Sequence, residues 1–181
     1  MISSKQKSII KNIIPDNSIK YTSAGTFFTD GKLVLCGYQP NKKLPSINGL
    51  GGKKDPNDKT YIETAIRETL EELFDIVPDK QIINYINLKI IHKNLIIQQN
   101  YYMLVYSFED LELILQLLNQ KEITSNLYDI FPRTISDLIF FRKIDSKKNS
   151  EITHLCLLPI VTDVNIHSNL IKDITLFLLH D

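Results

Sequence analysis

Four carboxylates dominate the chemistry this sequence offers. Glu68, Glu71, Glu72 and Asp75 stand at i, i+3, i+4 and i+7, so on a helix turning about 100° per residue they share one narrow stripe. Their neighbouring Cβ atoms would lie about 6 Å apart, where like charges repel by a few tenths of a kcal/mol per pair. Such a stripe alone suits a solvated face as well as a site. Three further features point to a site. Arg67 is placed to pair, at a spacing of four, with Glu63 or Glu71 and to fix carboxylate orientation with a planar, permanently charged partner. Clustered carboxylates are the hard oxygen ligands that Mg²⁺ prefers, an ion that keeps several waters and bridges to substrate phosphates. Upstream, Gly51-Gly52 lets the backbone come close to the helix start, where a carbonyl can complete a metal shell and amides can meet a phosphate.

The elements that must position these groups follow from periodicity and turn chemistry. Thr60 opens a helical pattern running to about Phe74, with Ile62, Ala65, Ile66, Thr69, Leu70, Leu73 and Ile76 on one broad buried arc. Thr60-x-x-Glu63 is a capping box in which Thr60 caps the helix and Glu63 reaches back to its amide. Before it, Pro45 to Asp58 reads as a turn-rich loop, and Tyr21–Thr29 with Lys32–Tyr38 as a tight hairpin around Asp30-Gly31. Ser3–Ile14 reads as a short helix closed by Pro15. Downstream, Ile82–His92 and Leu95–Phe108 read as strands around Lys93-Asn94. Helical spacing recurs at Leu111, Ile114, Leu115 and Leu118, and at Ile135, Leu138 and Ile139 after Pro132. A loop at Lys147-Lys148-Asn149, an apolar strand from Ile152 to Val161 and an amphipathic helix through Ile166, Leu170, Ile174 and Phe177 complete the chain. Strands interleaved with helices, with hairpins among them, give an α/β (α+β) class: a mixed sheet with helices packed on it.

At 181 residues, with no repeat or composition break, a single domain spanning 1–181 is expected. Lys+Arg 21 against Asp+Glu 21 leaves no overall basic field to hold nucleic acid nonspecifically, so a phosphate ligand must be held locally and DNA is not expected as a partner. Lys5 and Lys7 precede an isoleucine run that Lys11 and Asn12 interrupt, unlike a signal-peptide core, and no stretch approaches ~18 apolar residues. A cytoplasmic protein without membrane association is expected. Cys36 and Cys156 lie far apart without metal or redox spacing, each in an apolar strand, and read as buried inert thiols in a reduced compartment. His92, His154, His167 and His180 are scattered singly, without zinc-site spacing.

The stretch from Gly51 to Ile76 resembles the box of the Nudix hydrolases, which runs G, five residues, E, seven residues, then R-E-U-x-E-E-x-G-U, U being bulky and aliphatic. Arg67-Glu68-Thr69-Leu70-Glu71-Glu72 reproduces the R-E-x-x-E-E core after Gly51-Gly52. The chain departs from the pattern in three places. Fourteen residues separate Gly52 from Arg67, one more than the pattern allows; the earlier Glu, counted back from Arg67, falls on Lys59, with Glu63 the nearest glutamate; and the late Gly falls on Phe74, followed by Asp75.

The resemblance implies an α/β/α sandwich in which Glu68, Glu71 and Glu72 bind Mg²⁺ or Mn²⁺, with the carbonyl of Gly51 or Gly52 as a further ligand. Glu68, Glu71 and Arg67 would be the catalytic set. The implied reaction is hydrolysis of a nucleoside diphosphate linked to another group, with the general base either a box Glu or a later acid: Glu109, Glu112, Glu122 or Asp129. The stretch from Ile47 to Lys54, with the helix that follows, looks like the box of large DNA virus Nudix proteins, some of which remove mRNA caps. Capped RNA is thus the leading specific substrate, with Lys42, Lys43, Lys53 and Lys54 near the backbone and Tyr101 or Tyr102 stacking on a base. The alternatives are small nucleotides (modified dNTPs, ADP-ribose or dinucleoside polyphosphates) or a catalytically silent module that binds RNA or protein. A homodimer stays open.

Overall fold

The computed structural model describes residues 20–40, 45–144 and 151–160, together with Leu170, Ile171, Ile174 and Phe177. Ser3–Ile14, Lys42, Lys43, Lys147–Asn149, Ile166, His167 and His180 lie outside the described residues. Seven strands, β1 (Ser23–Thr29), β2 (Leu33–Gln39), β3 (Ser46–Asn48), β4 (Leu50–Lys53), β5 (Asn94–Gln98), β6 (Tyr101–Ser107) and β7 (His154–Pro159), form one sheet. It is mixed: β1 pairs parallel with β6, and every other pairing is antiparallel. Four helices, α1 (Tyr61–Phe74), α2 (Lys80–Asn87), α3 (Phe108–Gln120) and α4 (Ile135–Phe140), complete the described elements. No described helix is long and apolar enough to cross a membrane.

Strand alternation sorts side chains to two faces. Ala24, Phe28, Leu35, Leu95, Tyr102, Leu104 and Tyr106 point to the face covered by α1–α4. Phe27, Val34, Cys36, Ile96, Met103 and Val105 point to the other, where the helical residues Leu170, Ile174 and Phe177 cover them. Helical cover on both faces is the three-layer arrangement expected.

The region read as a loop from Pro45 to Asp58 holds β3 and β4, and these decide where the site lies. The hairpin opens as soon as it is made: β1 and β2 pair only at Thr29 and Val34. Beyond that pair they diverge, and residues 46–53 fill the wedge, β3 pairing with β2 and β4 with β1. Gly51 and Gly52 thereby stand opposite Gly25 and Ala24 inside the sheet, under α1. The turn itself is wider than two residues. Asp30 Oδ1 accepts from the amides of Lys32 and Leu33 at 2.8 and 2.7 Å, an Asx-type turn with a positive φ at Gly31 and not at Asp30.

Two further expectations are corrected. Ile82–His92 is not a strand; residues 80–87 form α2, capped by Asp79 Oδ1, which accepts from Ile82 N at 2.8 Å. Ile83 and Ile86, three apart, bury against α1 and the sheet, so packing overrides the strand preference of β-branched residues. The hairpin that follows turns at Gln99-Asn100, where Gln99 has φ 54°, and not at Lys93-Asn94, which places all of residues 101–107 in β6.

Candidate active site on the carboxylate face of α1

Helix α1 starts as its sequence dictates. Thr60 is extended, its hydroxyl accepts from Glu63 N at 3.1 Å, and Glu63 Oε2 reaches back to the amide of Lys59 at 2.9 Å, one residue before the cap residue expected. The arc Ile62, Ala65, Ile66, Thr69, Leu70 and Leu73 is buried, which turns residues 67, 68, 71 and 72 toward β4. Asp75 leaves the stripe: it ends the helix in the left-handed region at φ 54°, its amide donating to Glu71 O at 2.9 Å. Phe74, where the family pattern has glycine, stays helical and fully buried against Phe131 and Tyr128. The helix exit is therefore shifted by one residue.

Arg67 gathers the carboxylates. Its Nη1 donates to Glu71 Oε2 at 2.8 Å, Nη2 lies 2.9 Å from Glu68 Oε1, and Nη2 also donates to Lys53 O at 2.8 Å. Glu63, the other partner allowed by spacing, is occupied at the cap instead. The third acid on Arg67 is Asp58, buried, accepting from Nε at 3.2 Å and Nη2 at 3.0 Å. Asp58 Oδ2 also accepts from Thr64 Oγ1 at 2.8 Å and Asp55 N at 3.0 Å, and Thr64 Oγ1 is 3.2 Å from the Tyr21 hydroxyl. Counted back from Arg67, the box passes over Asp58 and lands on Lys59. Counted forward from Gly52, Asp58 follows five residues, at the first acidic position of the box, and the extra residue lies between it and Arg67.

Glu72 is turned inward, accepting from Gly51 N at 2.7 Å. Both glycines are needed for these approaches. Gly51 has φ 147°, and a Cβ there would stand 2.6 Å from Gly25 Cα, while a Cβ on Gly52 would run into the Glu68 carboxylate. The two ends of α1 are fixed differently. At its C-terminal end the buried Arg142 donates to Leu73 O (2.6 Å), Glu72 O (2.8 Å) and Ile152 O (2.9 Å), satisfying helix carbonyls that have no partner within α1. Nothing local in the sequence announces Arg142, since its partners are backbone atoms far away in the chain.

The charges differ accordingly. Burial raises the pKa of Glu68, with Arg67 offsetting part of the effect and Glu71 and Glu151 adding to it; burial likewise raises Glu71, again against Arg67. Burial also works on Asp58, but the hydrogen bonds from Arg67, the Asp55 amide and Thr64 outweigh it and lower its pKa. Burial opposes the charge on Arg67, and Asp58, Glu68 and Glu71 more than restore it, raising its pKa. Asp58 is thus a committed anion, whereas Glu68 and Glu71 keep a proton to higher pH than ordinary carboxylates. Of the acids outside α1, Glu151 acts on Glu68, and Asp58 and then Asp55 act on Glu71; Glu109 sits with Ser107, Lys93 and Asp30, and Asp129 pairs with Lys143. Glu109, Glu112, Glu122 and Asp129 are not among the charges that chiefly shift Glu68 or Glu71.

In kind, this donor set fits Mg²⁺ or Mn²⁺: carboxylate oxygens of Glu68, Glu71 and Glu72 beside two glycines whose missing side chains leave the backbone open. In arrangement, no three acidic, histidine or cysteine side chains among the described residues converge as metal ligands, because Arg67 holds Glu68 and Glu71 while Gly51 holds Glu72. A cleft of about 220 Å³ opens beside this cluster, lined by Asp55, Asp58, Arg67, Glu71, Lys80 and Asn84 among others. Of the substrate contacts expected, Lys53 and Lys54 are exposed, and Lys54 Nζ sits 4.5 Å from the Tyr21 ring centroid. Tyr102 is buried between Tyr21 and Tyr61, so it has no free face for a base. Tyr101 is half-buried on the opposite face. His92 lies edge-on to Tyr106 and His154 to Tyr38.

No family model matches the chain, and no curated protein matches it. Among solved structures it is similar to a NUDIX-family hydrolase from Clostridium perfringens, at 16% identity and a TM-score of 0.40, over 90% of this chain and 98% of that one.

Proposed function

We propose that this chain is a Nudix-type hydrolase that uses Mg²⁺ or Mn²⁺ to cleave the diphosphate linkage of a nucleoside diphosphate joined to another group. The carrying observation is the cluster itself: four carboxylates, Asp58, Glu68, Glu71 and Glu72, around one guanidinium and two glycines. Glu68, Glu71 and Glu72 would hold the cation, with a carbonyl of Gly51 or Gly52. A bound Mg²⁺ or Mn²⁺ would supply charge neutralisation at the bridging oxygens and an acidified water for in-line attack. Arg67 orients Glu68 and Glu71, and Asp58 in turn fixes Arg67. The Gly51 amide keeps Glu72 turned toward β4. The base for that water would be a carboxylate of the site, Glu68 on the helix or Glu151 outside it, whose charge acts on Glu68.

For the substrate, the box resemblance and the exposed Lys53 and Lys54 support the capped 5′ end of mRNA. A small nucleotide is favoured by the burial of Tyr102 and the acidic lining of the cleft, which repels an RNA backbone. The deciding experiment incubates the purified chain with Mg²⁺ and either capped RNA or a panel of free nucleotides, and resolves products by chromatography. The native chain should release a nucleoside monophosphate or diphosphate, and Glu71→Gln and Glu72→Gln should not. Equal turnover by all three ends the hydrolase reading; cleavage of free nucleotides alone ends the decapping reading.

A further inference from the structure

Cys36 and Cys156, separate and inert as read from the sequence, are brought face to face by the fold. β2 and β7 pair with Cys36 directly opposite Cys156, and directly opposed residues project from the same face of a sheet. Both are free thiols; Cys36 lies within the apolar cluster on the face away from α1, and Cys156 packs against it. Register also fixes the class of the pair. Ile160 N donates to Lys32 O at 2.9 Å, and Pro159, which has no N–H, stands opposite Leu33. Hydrogen-bonded pairs therefore fall at alternate positions, Lys32, Val34 and Cys36. Such a pair holds its Cα atoms about 5.5 Å apart, inside the roughly 4.4–6.8 Å of disulfides, while its Cβ atoms, at the wide end of about 4.5–5.5 Å, must draw together to the roughly 3.5–4.5 Å that the bond requires.

We propose that Cys36 and Cys156 form a reversible cross-strand disulfide, closed by an oxidant of the peroxide class. Cys156 is half-buried and Cys36 buried, so Cys156 meets the oxidant first. Its sulfur attacks one oxygen of hydrogen peroxide, the O–O bond breaks, and sulfenic acid and one water result. The Cys36 sulfur then attacks the Cys156 sulfur, the S–O bond breaks, and the second water leaves with the Cys36 proton. Two thiols have lost two electrons, and one peroxide has become two waters. Burial raises the pKa of both thiols, and only the thiolate is nucleophilic, so closure is slow, on the order of minutes to hours. Thiol-rich surroundings keep the pair open. Strand register alone carries this pairing, whatever reaction α1 performs.

The test exposes the reduced full chain to hydrogen peroxide and measures intact mass, a non-reducing peptide map and thermal unfolding. Each chain should lose two hydrogen atoms and yield a Cys36–Cys156 linked peptide that dithiothreitol separates. Because the bond closes a long loop of the unfolded chain, the oxidised form should melt several degrees above the reduced one. In Cys36→Ala, dimedone should trap a Cys156 sulfenic acid and no linked peptide should form. Should that variant fail to fold, the native peptide map decides alone. Links found only between chains, a sulfenic acid on Cys156 that persists beside an intact Cys36, or an oxidised form that melts below the reduced one would each overturn the proposal.

Discussion

The two arginines that bind α1 make opposite use of the same group. Arg67, near the middle of the helix, is surrounded by side-chain carboxylates, Asp58, Glu68 and Glu71. Arg142, at its C-terminal end, meets only oxygen dipoles: the carbonyls of Glu72, Leu73 and Ile152, and the Tyr128 hydroxyl at 3.4 Å. Among the described residues no carboxylate pairs with Arg142, and its Nε has no partner. Carboxylates are mobile, titratable and able to exchange one cation for another. Carbonyls fixed in a helix and a strand-leading segment are none of these. The middle of α1 therefore carries groups able to exchange one cation for another, and its C-terminal end is fixed so that the helix and residues 151–153 stay in register with each other.

The largest test of that contrast is Arg142→Met. It removes a donor from three buried carbonyls, of which Leu73 O keeps the Tyr128 hydroxyl at 3.3 Å; each carbonyl left without a donor costs about 1–3 kcal/mol, so denaturant unfolding should show a loss of roughly 2 kcal/mol or more. A loss below about 1 kcal/mol would make Arg142 incidental. Glu71→Gln is the reverse case. Metal-dependent turnover should fall roughly 10²–10³-fold, the scale of losing one preorganised charge contact in a reaction, while stability changes by less than about 0.5 kcal/mol, as for an ordinary surface substitution. Comparable damage to both properties would erase the distinction between the two arginine sites.

Smaller effects sharpen it. Asp75 places a negative charge at the carboxyl end of the helix and holds φ 54°, a conformation that suits glycine and a position where the dipole disfavours an anion. Asp75→Gly should raise stability by about 0.5–1 kcal/mol in thermal unfolding without altering turnover; an unchanged or lower midpoint would show that the contacts of Asp75 outweigh both penalties.

The smallest effect lies in pH. Glu68 and Glu71 have raised folded-state pKa values, so their contribution is fully present below about pH 4.3, the unfolded glutamate value, and is lost as pH rises through the folded values. Asp58, lowered, works the other way: its contribution is present above about pH 3.9 and is lost as pH falls through its folded value. With a chelator present, Glu68→Gln should flatten the decline above pH 4.3 and add a few tenths of a kcal/mol at pH 7, about the size of relieved like-charge repulsion. A variant at least about 1 kcal/mol less stable than the native chain at pH 7 would mean that the Arg67–Glu68 pair, and not burial, governs this carboxylate.

The helix that carries the site was legible because everything that makes it is local. Thr60, the buried arc and Arg67 through Glu72 lie within fifteen residues, and a period of 3.6 sorts them without help from the rest of the chain. The same local rules misread 45–58, since the two strands there exist only because β1 and β2 part after a single pair, and they misread α2, where isoleucines prefer a strand until α1 and the sheet offer them a surface. Asp58 falls between: its distance from Gly52 is written in the sequence, and its bond to Arg67 depends on how the chain enters the helix.

By itself, then, the sequence determined the spacing of Glu68, Glu71 and Glu72, the helix that presents them, the alternation that sorts strand residues to two faces and the mixed α/β class. The tertiary structure alone decided that Gly51-Gly52 lies inside the sheet beneath those carboxylates, that Asp58 and not Glu63 holds Arg67, that Arg142 caps α1, and that Cys36 faces Cys156. The division has one cause. Periodicity is a property of a few consecutive residues, whereas strand register, helix caps supplied from afar and buried ion pairs depend on which distant segments the whole chain brings to the same place.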